Sequence, residues 1–276
     1  MPARNFLATL ALIVPLAAGA CGEVATVAAH DGTTLRYALA APSAPPSGEP
    51  PVTLLLLAGG AGVVALDAAG CAQALTGNSL VRAQASFQAA GFHTALVDAP
   101  SDHHGADGLA GFRIDPRHAA DLGAVIADLR RRLGGTVWLV GTSRGAISAA
   151  NAASRLSGAA AADGVVLTSP VSVGDPRARK PWVAQSVFDL PLAGLRMPLL
   201  LLGHADDACV RSPAARLDEI AARSGSLRRA VVVLDGGPGG RGLSDLAACE
   251  GRSPHGFVGQ EAEMVAAIAG FVRAAP

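Results

Sequence analysis

Five residues in the middle of the chain have the types and spacing for nucleophilic chemistry. Gly141-Thr142-Ser143-Arg144-Gly145 matches G-x-S-x-G and lies between an apolar run, Thr136 to Val140, and a helical pattern, Arg144 to Leu156. A sharp strand-to-helix turn at that place forces its central residue into a strained backbone conformation and lifts the hydroxyl above the strand end, with room only for glycine on either side. A serine hydroxyl is a weak nucleophile. It needs a histidine base, an acid to orient that base, and backbone donors for the oxyanion of a tetrahedral intermediate.

Candidates occur in the chain order serine, aspartate, histidine. His255, in Ser253-Pro254-His255-Gly256-Phe257, is the last of seven histidines; His30, His93, His103, His104 and His118 all precede the serine, and His204 falls where the acid is expected. Asp206 and Asp207 both follow the run Leu199 to Leu202 and are both available as the acid. One oxyanion donor is the backbone N–H of Arg144, and the second comes from Ala58-Gly59-Gly60-Ala61-Gly62, with Gly60 the first choice and Ala61 its neighbour. That loop does not read G-x-G-x-x-G, and no GKS or GKT occurs, so dinucleotide and P-loop readings fail. Asp102-His103-His104 with Asp107 reads as a solvated polar loop, Arg113 as paired with a surface acid in preference to meeting a substrate carboxylate, and no metal or organic cofactor is expected.

These residues must be held by a sheet. Val24 to Ala29 and Leu35 to Leu39 flank an Asp-Gly turn and form an antiparallel hairpin. Six short apolar runs follow, Val52 to Leu57, Thr94 to Asp98, Thr136 to Val140, Val165 to Thr168, Leu199 to Leu202 and Ala230 to Leu234, as expected of parallel strands buried on both faces. Helical patterns at Ser79 to Ala90, Pro116 to Leu133, Arg144 to Leu156, Pro213 to Arg223 and Gln260 to Val272 alternate with them. Asp115-Pro116 and Ser212-Pro213 both read as an N-cap followed by proline at the first helical position. Only Ser169 to Met197 separates the fourth parallel strand from the fifth, which leaves room for a short helix near Trp182 to Asp189 and none for a large cap. Trp182, Phe188, Phe112 and Phe257 are the candidate wall residues of an open pocket.

Composition narrows the partners. The chain has 276 residues, 50% hydrophobic and 16% charged, with 22 basic and 22 acidic side chains, so nothing in the bulk charge attracts nucleic acid or an anionic membrane. A small-molecule ester or acyl compound suits it better. Residues 1–20 combine Arg4, an apolar run from Phe6 to Ala18 and a small-residue end, which reads as a secretory signal peptide too short to be a transmembrane span, so the protein is expected to be periplasmic or secreted. Cys21 follows directly and is also a candidate lipid-attachment site for a membrane-anchored lipoprotein. In an oxidising compartment four cysteines without C-x-x-C spacing read as paired. Cys209 and Cys249 each lie in a loop beside a candidate catalytic residue and are the expected bridge, while Cys71 pairs with Cys21 or stays free.

The order of elements with Gly141 to Gly145, Asp207 and His255 resembles the α/β-hydrolase superfamily over nearly the whole of residues 23–276. More narrowly, Thr142 to Gly145, Asp207-Ala208-Cys209 and His255-Gly256-Phe257 resemble exported bacterial serine hydrolases of poorly defined substrate. The resemblance favours Asp207 over Asp206, because in such sequences the acid lies nine residues after a proline like Pro198. It departs from the pattern at Ala58, where many members have histidine. It implies one α/β-hydrolase domain with helices on both faces of a mostly parallel sheet and no large cap, acting as a carboxylic ester hydrolase through an acyl-enzyme on Ser143. An acyltransferase or a peptidase on the same triad, or a non-catalytic binding protein on this scaffold, are the alternatives.

Overall fold

The computed structural model describes residues 21–44, 48, 50–240 and 242–274; the expected signal peptide lies outside them. Eight strands form one sheet: β1 (Glu23–Ala28), β2 (Thr34–Ala40), β3 (Val52–Leu57), β4 (His93–Val97), β5 (Thr136–Thr142), β6 (Gly164–Thr168), β7 (Leu199–His204) and β8 (Arg229–Leu234). Their spatial order is β1-β2-β4-β3-β5-β6-β7-β8, with β1 antiparallel to β2, β2 antiparallel to β4, and every other pairing parallel. The hairpin turns at Asp31 and Gly32, both at positive φ (49° and 78°), as an Asp-Gly turn between twisted strands requires.

The uninterrupted apolar runs are explained by helices covering both faces. Leu55 and Leu57 of β3 point to the side packed by α3 (Pro116–Leu133), α4 (Gly145–Arg155) and α5 (Leu217–Arg223). Leu54 and Leu56 point to the side packed by α1 (Ser79–Arg82), α2 (Gln84–Ala89) and α6 (Glu261–Arg273). Each fully buried leucine stabilises the fold by about 1.5–3 kcal/mol, and truncating one to alanine costs about 2–5 kcal/mol because a cavity is left.

Local departures from the sequence reading have local causes. The helix expected over Ser79 to Ala90 breaks at Ala83, whose ψ of 0° ends α1 and starts α2. Asp115 does cap α3, its carboxylate accepting the Arg117 N–H at 2.8 Å. Ser212 does not cap the next helix: Pro213 is extended, a single 3₁₀ turn runs from Ala214 to Arg216, and α5 starts only at Leu217. Between β6 and β7 the chain makes three 3₁₀ turns, Pro181–Ala184, Val187–Asp189 and Leu192–Gly194, in place of one short helix and without a cap.

Two disulfides close the described chain, Cys21–Cys71 and Cys209–Cys249. The first uses the sulfur that a lipid thioether would need, so that bridge and acylation of Cys21 exclude each other. The second ties the loop after β7 to the loop before α6. No described helix is long and apolar enough to cross a membrane. With 40 residues between Cys209 and Cys249, the bridge stabilises by up to about 4 kcal/mol in the chain-entropy account. The double variant Cys209→Ser/Cys249→Ser is expected to lose on the order of 10 °C in Tm by calorimetry, and non-reducing peptide mapping to recover both pairs; an unchanged Tm or free thiols would contradict the bridge.

Candidate active site

Ser143 sits between β5 and α4 with φ at +54°, in the left-handed region that side chains other than glycine rarely occupy. The residues two places before and after it cannot be larger than glycine. A Cβ at Gly141 would stand 2.4 Å from the Gly145 carbonyl oxygen, and one at Gly145 would stand 2.0 Å from the Leu57 carbonyl oxygen. The Ser143 N–H donates to Thr168 O at 2.9 Å, anchoring the turn to the end of β6. Among the described residues no protein acceptor takes the N–H of Arg144.

The acid and base come from two loops at the same end of the sheet. His255 Nδ1 lies 2.9 Å from Asp207 Oδ2, and both side chains are almost fully buried. Asp207 Oδ1 also accepts the Cys209 N–H at 2.9 Å. The carboxylate therefore takes the Nδ1–H, which leaves Nε2 as the acceptor nitrogen. Nε2 is buried without a hydrogen-bond partner, and His255 and Ser143 line the same cleft. No Ser143–His255 hydrogen bond is formed here, as is common before a substrate draws the pair together. Asp206 is exposed, and its N–H donates to His204 Nδ1 while His204 Nε2 meets Gln260 Oε1 at 2.5 Å, so this histidine braces the acid loop.

The base loop is held by a residue that the motif search does not reach. Arg82 donates to the carbonyls of Gly77, Gly251 and Gly256 and pairs with Glu261 at 2.7 Å, fixing the backbone on both sides of His255. Ser253 caps the 3₁₀ turn that carries His255 by accepting its N–H at 3.2 Å.

Arg113 is the main correction to the sequence reading. It is a fully buried cation and makes no ion pair among the described residues. Its Nη2 lies 3.1, 3.4 and 3.3 Å from the carbonyl oxygens of Ala58, Gly59 and Gly60. Its Nη1 donates to Ser148 Oγ at 2.8 Å, which in turn meets His118 Nε2 at 2.9 Å. Burial, followed by the Arg144 charge, holds the Arg113 pKa well below the ordinary arginine value. Burial, then Arg113, lowers His118 to about 3, so this imidazole is neutral and can accept the Ser148 proton. In a trans peptide the carbonyl of one residue and the N–H of the next point in opposite directions, and no cis peptide occurs among the described residues. The Gly59 carbonyl is held by the Gly62 N–H at 3.0 Å together with Arg113, so the Gly60 N–H points the other way; Gly60 lines the cleft and Ala61 does not. A Cβ at Gly62 would meet Arg113 Nη2 at 2.6 Å, which is why glycine stands there.

The cleft measures about 470 Å³ and is walled by Leu75, Val171, Trp182, Val183 and Leu246 with the Cys209–Cys249 bridge at its edge. Arg144, Arg211 and Glu250 are its charged lining. The Arg144 guanidinium stacks 3.9 Å above the Trp182 ring, and burial lowers its pKa to about 10, which leaves it cationic at neutral pH. Of the four candidate wall residues only Trp182 lines the cleft. Phe257 is buried in the core, Phe188 lies under Arg216 and Arg223, and Phe112 packs against His30 and His103. Asp207, Cys209 and His255 bring potential ligand atoms together, but a disulfide sulfur offers a metal no thiolate. The Nδ1–H of His255 is expected to give a downfield proton resonance in NMR spectra that Asp207→Asn shifts and Asp206→Asn leaves in place; the opposite pattern would move the pairing to Asp206.

The chain matches no protein-family model and no curated protein. Solved structures do resemble it. Esterase 2 of Thermogutta terrifontis, phosphoramylated by tabun, superposes with a TM-score of 0.60 at 16% identity, covering 94% of this chain and 97% of that one. A lidless α/β serine hydrolase from Xanthomonas campestris gives 0.55 at 19% identity over 92% and 97% of the two chains. An α/β serine hydrolase homologue from Coxiella burnetii gives 0.55 at 15% identity over 90% and 95%. Taken with the strand order and the turn at Ser143, these likenesses show that the chain has the α/β-hydrolase fold, in a form without a large lid.

Proposed function

We propose that this protein is an exported serine hydrolase that cleaves carboxylic esters through an acyl-enzyme on Ser143. One arrangement carries the reading: a serine at positive φ shares a cleft with a histidine whose far nitrogen is bound to a buried carboxylate and whose near nitrogen is unpartnered. His255 Nε2 takes the Ser143 proton as Oγ attacks the ester carbonyl, and Asp207 stabilises the imidazolium. The backbone N–H groups of Gly60 and Arg144 receive the oxyanion, each worth about 2.7–4 kcal/mol of transition-state stabilisation. The imidazolium then protonates the leaving alcohol. Water, deprotonated by the same nitrogen, hydrolyses the acyl-enzyme and releases the acid. Export is supported by residues 1–20 and by the two disulfides. The cleft volume and its apolar walls suit an ester of modest size. Acyl transfer and peptide cleavage would pass through the same acyl-enzyme and differ in leaving group or acceptor.

A fluorophosphonate probe is expected to label the wild-type protein and not Ser143→Ala, and p-nitrophenyl esters of graded acyl length to be turned over by wild type alone. Absence of labelling in folded wild type would favour the binding-protein alternative, and turnover of amides in preference to esters the peptidase. Asp207→Asn should lower kcat by about 10⁴-fold while Asp206→Asn keeps most of it. Arg113→Met, measured well below its Tm, should lower kcat by about 10²–10³-fold with little change in KM, because the Gly60 donor is released from its orientation; equal kcat would deny Arg113 a positioning role.

A further inference from the structure

Away from the cleft, the turn between β1 and β2 meets the loop after β4 in a cluster that ester hydrolysis does not use. Ligand atoms of His30, Asp102 and His103 all lie within 4.8 Å of one another. His30 Nε2 is 3.1 Å and His103 Nε2 3.7 Å from the same oxygen, Asp102 Oδ2. The other nitrogen of each ring is already engaged. His30 Nδ1 lies 2.7 Å from Asp121 Oδ2, and His103 Nδ1 lies 3.3 Å from the Gly108 carbonyl. A carboxylate and a carbonyl can only accept, so each Nδ1 carries a proton; His30 Nε2, 3.1 Å from Asp102 Oδ2, donates to that carboxylate when the ring is doubly protonated, and a metal ion would take the place of that proton.

Two Nε2 atoms and a carboxylate oxygen converge on one point, where a proton on His30 Nε2 or a metal ion in its place can hold them together. Both rings are also held in place. Phe112 stacks on His103 at 4.2 Å and lies 4.6 Å from His30 between ring centroids. The His30 and Asp121 side chains are 6% and 2% exposed, whereas Asp102 and His103 are 43% and 24% exposed, so the cluster has a rigid floor and a side open to water.

We propose that His30 Nε2, Asp102 Oδ2 and His103 Nε2 bind Zn²⁺, with water completing the shell and with Asp121 and the Gly108 carbonyl orienting the two imidazoles. Two imidazoles and one carboxylate suit Zn²⁺, while Ca²⁺ and Mg²⁺ prefer shells of oxygen alone. Tetrahedral Zn²⁺ with ligands at 2.0–2.2 Å sets ligand atoms about 3.3 Å apart, close to the His30–Asp102 spacing, and asks His103, on an exposed loop, for the remaining adjustment. The bound ion would join the β1–β2 turn, the loop after β4 and, through Asp121, α3. That loop continues into Leu109, whose N–H donates to Ala61 O at 2.9 Å behind the Gly60 turn. The site stands independently of the hydrolase reading.

The test uses purified protein without a polyhistidine tag and with both disulfides intact, freed of metal with EDTA and titrated with ZnCl₂ in a calorimeter. One equivalent of Zn²⁺ is expected to bind to wild type and to raise its Tm, with excess Ca²⁺ or Mg²⁺ failing to displace it. His103→Gln and Asp102→Asn, both in the exposed loop, should weaken binding at least about tenfold, and Asp121→Asn by about 10–100-fold. His255→Gln should bind as wild type does, which separates this site from the cleft. No binding to wild type, binding that survives both His103→Gln and Asp102→Asn, or binding lost with His255→Gln would overturn the proposal.

Discussion

The backbone of Ser143 is the constraint from which the rest of the site follows. A serine held at φ +54° costs on the order of 1–3 kcal/mol and persists only where its surroundings fix it. Here they do so from three sides: Gly141 and Gly145 admit the close approach of backbone to backbone, and Thr168 O takes the Ser143 N–H. This requires β5 to lie between β3 and β6, as it does. The end of β6 supplies the anchoring carbonyl. The end of β3 supplies Leu57 O against Gly145 and then the glycine loop, in which a Cβ at Gly59 would stand 3.0 Å from the Ser143 Cβ. The turn that raises the hydroxyl thus also fixes where the proposed oxyanion donors stand.

The proposed acid and base are placed by different forces. Asp207 follows a strand buried on both faces, so its position is inherited from the sheet. His255 is carried by a long connection with many glycines after β8, and sheet pairing cannot place it. Covalent and ionic ties do so instead. The Cys209–Cys249 bridge joins the two loops, Arg82 gathers the carbonyls on both sides of His255 against Glu261, and Gln260 links Asp235 O to His204 beneath the acid loop. The side chains that order the base loop are polar because a surface loop has little apolar area to bury.

What the sequence made legible follows the range of the forces involved. Strand runs, the Asp-Gly turn, the Asp115 cap and the G-x-S-x-G turn depend on near neighbours in the chain, and they stand where the pattern puts them. Ser212 failed as a cap for an equally local reason, the extended conformation of Pro213. Arg113 and Arg82 were not legible. Each acts mostly on carbonyls remote in the chain, which leave no motif; its side-chain partner, Glu261 or Ser148, is remote as well, and a lone arginine reads as surface charge. His30 was passed over in the same way: only the fold brings it beside Asp102 and His103. The bridge between Cys209 and Cys249 was legible because both cysteines neighbour residues that the chemistry had already brought together.

Arg113 raises a question of cost. A buried guanidinium without an acid partner is expensive, and a neutral amide could have held one or two of the three carbonyls that it gathers. The cation does something an amide would not. Arg144 is a second, partly buried cation, and after burial its charge is the next cause that lowers the Arg113 pKa, so the two repel in the resting protein. On the proposed mechanism a negative charge develops at the Gly60 and Arg144 N–H groups, within the field of both. That charge is attracted by both cations and is stabilised by groups that need not reorganise to meet it. An attraction that appears only as the negative charge develops lowers the barrier, whereas tighter binding of the uncharged ester would not. The absence of a carboxylate beside Arg113 is therefore consistent with its role, since a partner would neutralise the field before the reaction could use it.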